Sequence, residues 1–186
     1  MGAMSVFLYC FREREMILEM FEMLSGQRMM GSYFRPGGLW RDLVPEFLPA
    51  LERFVEYFPS KVDDYERLLT NNPLWIDRTQ GIGVVEPDEA MALGLSGPSL
   101  RGSGVNWDIR KAMPYSGYEQ YDFDIPTHDG CDIYSRYIVR VHEIRESLKI
   151  IRQALDKLPY GPGRSNNRKC VPPPRSEIGV SMESLI

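Results

Sequence analysis

Apolar residues recur at helical spacing along much of the chain, which predicts a mainly helical protein. Residues 5–24 contain no glycine or proline, and Ser25-Gly26 supplies a helix stop, so we expect one long first helix. Between Gly26 and Leu39, four helix breakers (Gly31, Pro36, Gly37 and Gly38) lie around an extended Ser32-Tyr33-Phe34 string. This second segment is predicted to be a turn or a short strand.

Residues 43–58 resume helical spacing, with apolar residues at steps of three or four. We expect this helix to end before Pro59 and a shorter one to run from Ser60 to about Thr70. The string Asn71-Asn72-Pro73 should then interrupt the helical pattern.

The clearest pattern begins around residues 129–132 and ends at Leu158. Its apolar seam consists of Tyr134, Tyr137, Val141, Ile144, Leu148, Ile151, Leu155 and Leu158. Charged residues occupy the other positions, namely Glu143, Arg145, Glu146, Lys149 and Arg152. This spacing predicts a long, partly solvated bundle helix.

Two regions are rich in helix breakers. Residues 87–93 predict a short helix closed by Gly94, whereas residues 96–130 predict a long irregular segment with strand-like patches at residues 121–125. The predicted fold class is therefore mainly α, a helical bundle with short strands and long irregular loops. We divide the chain into a central helical region (1–158), a Pro/Gly-rich linker or arm (159–179) and the start of a further helix (180–186).

Composition narrows the function classes. The chain of 186 residues is 43% hydrophobic, with a net charge of -4 and a pI near 5.3, which argues against nucleic acid as a partner. Its most apolar stretch, residues 4–11, is too short for a membrane span, and no signal peptide is indicated. Three widely spaced cysteines suggest a reducing, cytoplasmic location.

The residues indicate little chemistry by themselves. His128 fits a turn and His142 a helix surface better than a metal site, because neither has a second ligand at the required spacing. The glycine pairs at 81–83 and 102–104 lack the remainder of a nucleotide-binding motif. We therefore predict no metal site and no catalytic residue.

Several strings in order resemble the D subunit of complex I-type NADH:quinone oxidoreductases, the large quinone-site subunit. They are FRERE (11–15), YFRPGG (33–38), LSG (95–97), LRGSGVNWDIRK (100–111), PY (114–115), RESLKII (145–151), PP (172–173) and SMESLI (181–186). The string at 100–111 is highly specific, and the resemblance covers essentially the whole chain.

This resemblance implies a hydrogenase large-subunit-like fold without nickel, docked against a small subunit that carries the terminal iron–sulfur cluster. Quinone is reduced between the two subunits in this family. We expect other peripheral-arm subunits as partners, a peripheral position on the cytoplasmic side of the bacterial inner membrane or the mitochondrial matrix face, and no cofactor bound by this chain. The chain alone is not expected to be catalytic.

The family's quinone-binding histidine and tyrosine, with a partnering aspartate, lie upstream of the matched region. The family's last matched helix continues into a long C-terminal part. We therefore expect this sequence to be a truncated or split gene product or a partial reading frame.

Six residues are singled out as near-cluster or interface positions by the resemblance: Met30, Arg35, Gly37, Gly38, Arg101 and Gly102. Many relatives carry a titrating histidine at the position of Met30, so we expect a weaker pH dependence of the cluster potential, although Met30 can also simply fill a gap. The two arginines can pair with carboxylates or backbone carbonyls, or they can give structural support. The glycines can adopt a positive φ or allow another part of the backbone to approach closely.

Two other interpretations stay open from the residues. The same subunit type occurs in ferredoxin-dependent and membrane hydrogenase-like complexes, which differ in a separate electron-input subunit. A helical adaptor with no redox role is the third possibility. Gene neighbourhood would distinguish complex I from the ferredoxin-dependent and membrane hydrogenase-like complexes. Co-purification with a cluster-bearing small subunit would distinguish both from a helical adaptor.

Overall fold

A computed structural model describes residues 3–167 and 169–182. The helices are α1 (Met4–Ser25), α2 (Phe47–Leu69), α3 (Pro73–Thr79), α4 (Pro87–Ala92), α5 (Gly97–Arg101), α6 (Ile109–Ala112), α7 (Ile133–Asp156) and α8 (Arg175–Ile178). A 3₁₀ turn covers Tyr118–Gln120, and the strands are β1 (Phe34–Arg35) and β2 (Gly38–Leu39). The mainly helical prediction is confirmed.

Contacts divide the chain into two units. The helical unit comprises Met1–Tyr9 and Val55–Leu158, and the hairpin unit comprises Cys10–Phe54 and Pro159–Ile186. The predicted helix at 180–186 extends into residues 183–186, which lie outside the described residues.

In the helical unit, α7 is the central element. Its N-cap Asp132 accepts hydrogen bonds from the Ser135 backbone N–H and hydroxyl at 2.7 and 2.6 Å. Tyr137 on α7 packs edge-on against Trp75 of α3, with ring centroids 5.3 Å apart. Val139 and Val141 are buried, so the predicted long helix forms with much of its surface inside the unit.

In the hairpin unit, β1 and β2 pair antiparallel, with Phe34 opposite Leu39 and Arg35 opposite Gly38. The arm beyond Pro159 runs beside β2, because the Leu39 N–H donates to the Gly163 carbonyl at 2.8 Å. The predicted short strand in residues 26–39 is confirmed as this hairpin.

The predicted break before Pro59 is wrong. A single helix, α2, begins at Phe47 rather than residue 43 and continues through Pro59. A proline removes one backbone hydrogen bond, but Val55, Val62 and Tyr65 flank it on one face and are all buried. Burial of this face outweighs the local preference.

The string at residues 71–73 starts a helix instead of only interrupting one. Asn72 caps α3 by accepting a hydrogen bond from the Leu74 N–H at 3.0 Å, and Pro73 occupies the first turn. Proline tolerates that position because its missing N–H has no partner in a helix start.

Residues 96–130 contain α5, α6 and the 3₁₀ turn, and the predicted strand-like patch at residues 121–125 forms no ladder. The Asp122 and Asp124 N–H groups instead donate to the side chains of Gln153 and Glu146, both at 2.9 Å. Glu146 is buried by this contact, which corrects its expected place on a solvated face.

Candidate functional site

The specific string at residues 100–111 builds a buried cluster of charges in the helical unit. We call Arg101, Asp108, Arg110 and Glu143 the ion quartet. Their side chains are 5, 3, 17 and 14% exposed, respectively. Two positive and two negative charges therefore lie together away from solvent.

Short distances join all four members. Arg101 lies 2.6 Å from Glu143 and 3.3 Å from Asp108, measured between guanidinium nitrogens and carboxylate oxygens. Arg110 lies 2.6 Å from Asp108 and 3.1 Å from Glu143 by the same measure. Each charge withdrawn from water therefore has an opposite partner, while Arg101 Nε and Glu143 Oε1 make no hydrogen bond.

Local capping places the quartet. Asp108 is the N-cap of α6 and accepts the Arg110 N–H at 2.9 Å. Arg101 ends α5, and its guanidinium also donates to the Trp107 carbonyl at 3.2 Å. Glu143 comes from α7, so the quartet fastens the 101–110 loop to the central helix.

The carboxyl groups of two buried aspartates respond to their surroundings in the same way. Burial would raise the pKa of Asp108, but hydrogen bonds and charge from Arg110, with charge from Arg101, hold it below its ordinary value. Burial would likewise raise the pKa of Asp132, yet hydrogen bonds from Ser135 and from the Gly81 N–H lower it. Both carboxyl groups are therefore held ionised.

Gly102 lies where the loop packs against Arg136 of α7. Its φ is an ordinary -68°, but a Cβ there would stand 2.7 Å from Arg136 Cγ and 3.1 Å from the Arg136 backbone. Gly102 therefore allows the loop to approach α7 closely, because it has no side chain. The Cys131 N–H donates to the Gly102 carbonyl at 3.1 Å and holds this approach.

A cleft of about 420 Å³ opens beside the quartet. Trp107 and Tyr115 line it, with 40 and 49% of their surfaces exposed. Among residues 3–167 and 169–182, no three His, Cys, Asp or Glu side chains lie close enough together to hold a metal ion. The cluster of charges offers positioning and charge balance.

The other four singled-out residues lie in the hairpin unit. Met30 has a positive φ of 56° and is 92% exposed. The Arg35 guanidinium donates to the Ser32 carbonyl at 3.1 Å and lies over the Trp40 ring at 5.5 Å. Gly37 and Gly38 take φ values of 84° and 138°, which favour glycine.

The arm beyond Pro159 imposes a second requirement on Gly37 and Gly38, the absence of a side chain. A Cβ on Gly37 would stand 2.2 Å from Val171 Cγ2, and one on Gly38 would stand 2.3 Å from the Gly163 carbonyl oxygen. Both positions therefore need positive φ and the absence of a side chain.

An apolar cavity of about 530 Å³ lies in the hairpin unit under the loop that carries Met30. Leu18, Phe21 and Leu24 of α1 line it, together with Met29 and Phe34. Met29 and Phe34 are 55 and 84% exposed. The loop thus presents a large apolar surface around an apolar hollow.

Sequence reasoning missed three quartet members. Asp108 and Arg110 stand inside the string that carries Arg101, so their spacing was a usable signal. Glu143 had none, because its position on α7 predicts a solvated face. The two histidines are as expected: His128 Nδ1 accepts the Gly130 N–H at 3.3 Å within a turn, and His142 is exposed.

A family model described as the 49 kDa subunit of respiratory-chain NADH dehydrogenase matches residues 1–186. The chain belongs to this family. The resemblance found in its sequence strings, to the D subunit of NADH-quinone oxidoreductases, is thereby confirmed.

Curated relatives of this family are similar over the whole chain. One of the NADH-quinone oxidoreductase D subunits of Roseiflexus sp. is 59% identical over 100% of this chain and 45% of its own length. A D subunit of Chloroflexus aurantiacus is 57% identical, and the D subunit of a Thermus thermophilus strain is 50% identical, each over 100% of this chain and 46% of the relative. The chain spans about half the length of the curated relatives it matches.

One structural finding bears on the membrane. In the part of the chain that the structure describes, no helix is both long and apolar enough to cross a bilayer.

Proposed function

We propose that this chain forms part of the quinone-reducing module of a complex I-type NADH:quinone oxidoreductase. Its role there is to scaffold the quinone site and to contact the small subunit that carries the terminal iron–sulfur cluster. Support comes from its relatives, which are NADH-quinone oxidoreductase D subunits by name and are 50 to 59% identical to it. Other peripheral-arm subunits are further partners, and the assembly lies peripherally at the membrane.

One observation carries the contact with the small subunit. Met29, Met30 and Phe34, which we call the hairpin surface, expose 55, 92 and 84% of their areas around the apolar cavity. Exposed apolar groups of this size clustered at one place are typical of protein–protein interfaces. The Gly37-Gly38 turn and the Arg35 hydrogen bond to Ser32 hold the hairpin beside them.

The contact can be tested by mixing the tagged chain with the cluster-bearing small subunit of the Roseiflexus sp. complex. We expect the two to co-purify, and the double variant Met30→Glu, Phe34→Glu to weaken binding about tenfold or more, because two charges would be desolvated. The control variant Tyr160→Glu changes a fully exposed residue of the same unit and should bind normally. Equal binding by all three proteins would refute the role of the hairpin surface.

Met30 supports a second expectation. A thioether cannot titrate, so a cluster near it should lack the pH dependence that an imidazole supplies. In the assembled complex, Met30→Val should leave the midpoint potential slope unchanged. Met30→His should steepen it toward about 59 mV per pH unit. A redox titration with identical slopes for the Met30→His variant and the parent chain would contradict proximity of Met30 to the cluster.

A further inference from the structure

The hairpin surface contains two exposed methionines that are neighbours in the sequence. Met29 and Met30 are 55 and 92% exposed, and both line the apolar cavity. Met30 also takes a φ of 56°, in the left-handed region that residues other than glycine rarely adopt. Such backbone conformations cluster at binding sites and switch regions, where the surrounding structure holds them. The pair is therefore exposed and carried by a constrained loop.

Apolar side chains surround the methionine pair. Leu18, Phe21 and Leu24 of α1 line the same cavity. Arg28 also lines it, but its guanidinium is paired with Glu15. A polar group added to either methionine would lose its water when a partner covers this surface, and that loss opposes binding.

Oxidation is the reaction that adds such a polar group to a thioether. A hydroperoxide transfers one oxygen atom to the methionine sulfur. The sulfur is thereby oxidised by two electrons, the peroxide O–O bond breaks, and water or an alcohol leaves. The sulfoxide is polar and disrupts methionine-rich interfaces. Methionine sulfoxide reductases return the oxygen to water while two thiols become a disulfide, so the change is reversible.

We propose that Met29 and Met30 form an oxidation-sensitive docking switch in the unassembled chain. Hydroperoxides convert the two exposed thioethers to sulfoxides, and the oxidised hairpin surface then fails to bind the cluster-bearing small subunit. Docking of the reduced chain covers the pair and protects it from oxidation. This inference rests on the proposed contact with the small subunit and adds a means of regulating it.

Peroxide treatment of the free chain tests the switch. The tagged chain is treated with hydrogen peroxide, the excess is removed with catalase, and the small subunit of the Roseiflexus sp. complex is then added. Peptide mass spectrometry should find the added oxygen on Met29 and Met30 before Met20, which is only 6% exposed. Binding should weaken about tenfold or more. Sulfoxide reductases with dithiothreitol should restore it, whereas dithiothreitol alone should not.

Leucine variants identify the methionines that carry the effect. Met29→Leu, Met30→Leu keeps apolar side chains of similar volume, so this double variant should bind before and after peroxide treatment. The matched control Met91→Leu, Met113→Leu removes methionines of the helical unit that are 53 and 71% exposed, and it should lose binding as the parent chain does. Both variants keep the exposed cysteines, so an effect of thiol oxidation would appear in both.

The outcomes separate the switch from the contact on which it rests. Equal binding by treated and untreated parent chains would overturn the switch and leave the contact standing. Loss of binding by the treated Met29→Leu, Met30→Leu variant would also overturn it. The reductase step is independent of the variants, since removal of both added oxygens without recovery of binding would contradict the switch. An untreated parent chain that does not bind would overturn the contact and the switch together.

Discussion

At the scale of single residues, the ion quartet shows how a specific sequence string contributes to a buried cluster of charged side chains. Asp108 serves both as helix cap and as partner of Arg101 and Arg110. Residue types and spacing within the string made the Asp108–Arg110 pair predictable. Glu143 comes from a helix 33 positions beyond Arg110, and such a pairing depends on tertiary packing that no local pattern contains.

Removing one quartet charge should be strongly destabilising. Arg101→Met leaves two buried carboxylates facing a single guanidinium, so we expect the free energy of unfolding to fall by about 3–5 kcal/mol. Arg152→Met changes an exposed arginine on α7 and should alter it by no more than about 0.5 kcal/mol. Urea unfolding monitored by circular dichroism measures both. Similar midpoints for the two variants would mean that the quartet contributes little.

Asp132 should make the free energy of unfolding depend on pH in the acid range. Its pKa is lowered in the folded chain, so its contribution is complete above the unfolded pKa of about 3.9 and is lost as the pH falls through the folded value. Asp132→Asn turns an acceptor for the Gly81 N–H into a donor and should lower stability at pH 7 by about 1–3 kcal/mol.

Below pH 4 the free energy of unfolding of the Asp132→Asn variant should approach that of the parent chain, which has itself fallen. Urea midpoints between pH 2.5 and 7 follow the convergence, with the exposed Asp156→Asn as control. A constant difference between Asp132→Asn and the parent chain at every pH would contradict the account.

At the scale of elements, the long helices α1 and α7 were predictable because their apolar spacing is uninterrupted. The errors fall where burial competes with local preference. Pro59 is a helix breaker by itself, yet α2 continues through it. Residues 121–125 look strand-like, yet no strand pairs with them in the described part of the chain, and the Asp122 and Asp124 N–H groups donate to side chains of α7 instead.

Pro59 should weaken α2, because it has no backbone N–H to donate within the helix. Pro59→Ala restores the N–H that can bond to the Val55 carbonyl and should raise the free energy of unfolding by about 1–3 kcal/mol. Pro49→Ala is the matched control, because Pro49 lies in the first turn, where the N–H has no helical partner, and should have little effect. Thermal unfolding compares the two. A lower melting temperature for Pro59→Ala would show that the fold requires the proline.

The contact between α5 and α7 depends on Gly102. Gly102→Ala places a methyl group against the Arg136 backbone and should destabilise the chain by about 1–3 kcal/mol. Gly179→Ala also has an ordinary φ, but open space surrounds it, so we expect little change. Urea unfolding of both variants provides the measurement. Equal stability of the two would show that α7 adjusts freely at Arg136.

At the scale of the whole molecule, ordered strings along the chain were enough to predict the family. They could not reveal which surfaces stay exposed, because exposure depends on the three-dimensional course of the loops. The hairpin surface presents large apolar side chains to solvent. This surface fits a chain whose work is contact with other polypeptides.

Affinity purification of the tagged chain from its native cells tests the central claim most directly. We predict that mass spectrometry will find the cluster-bearing small subunit and other peripheral-arm subunits of a complex I-type oxidoreductase in near-equal amounts. Recovery of the chain alone, or only with proteins unrelated to electron transfer, would contradict its place in the quinone-reducing module.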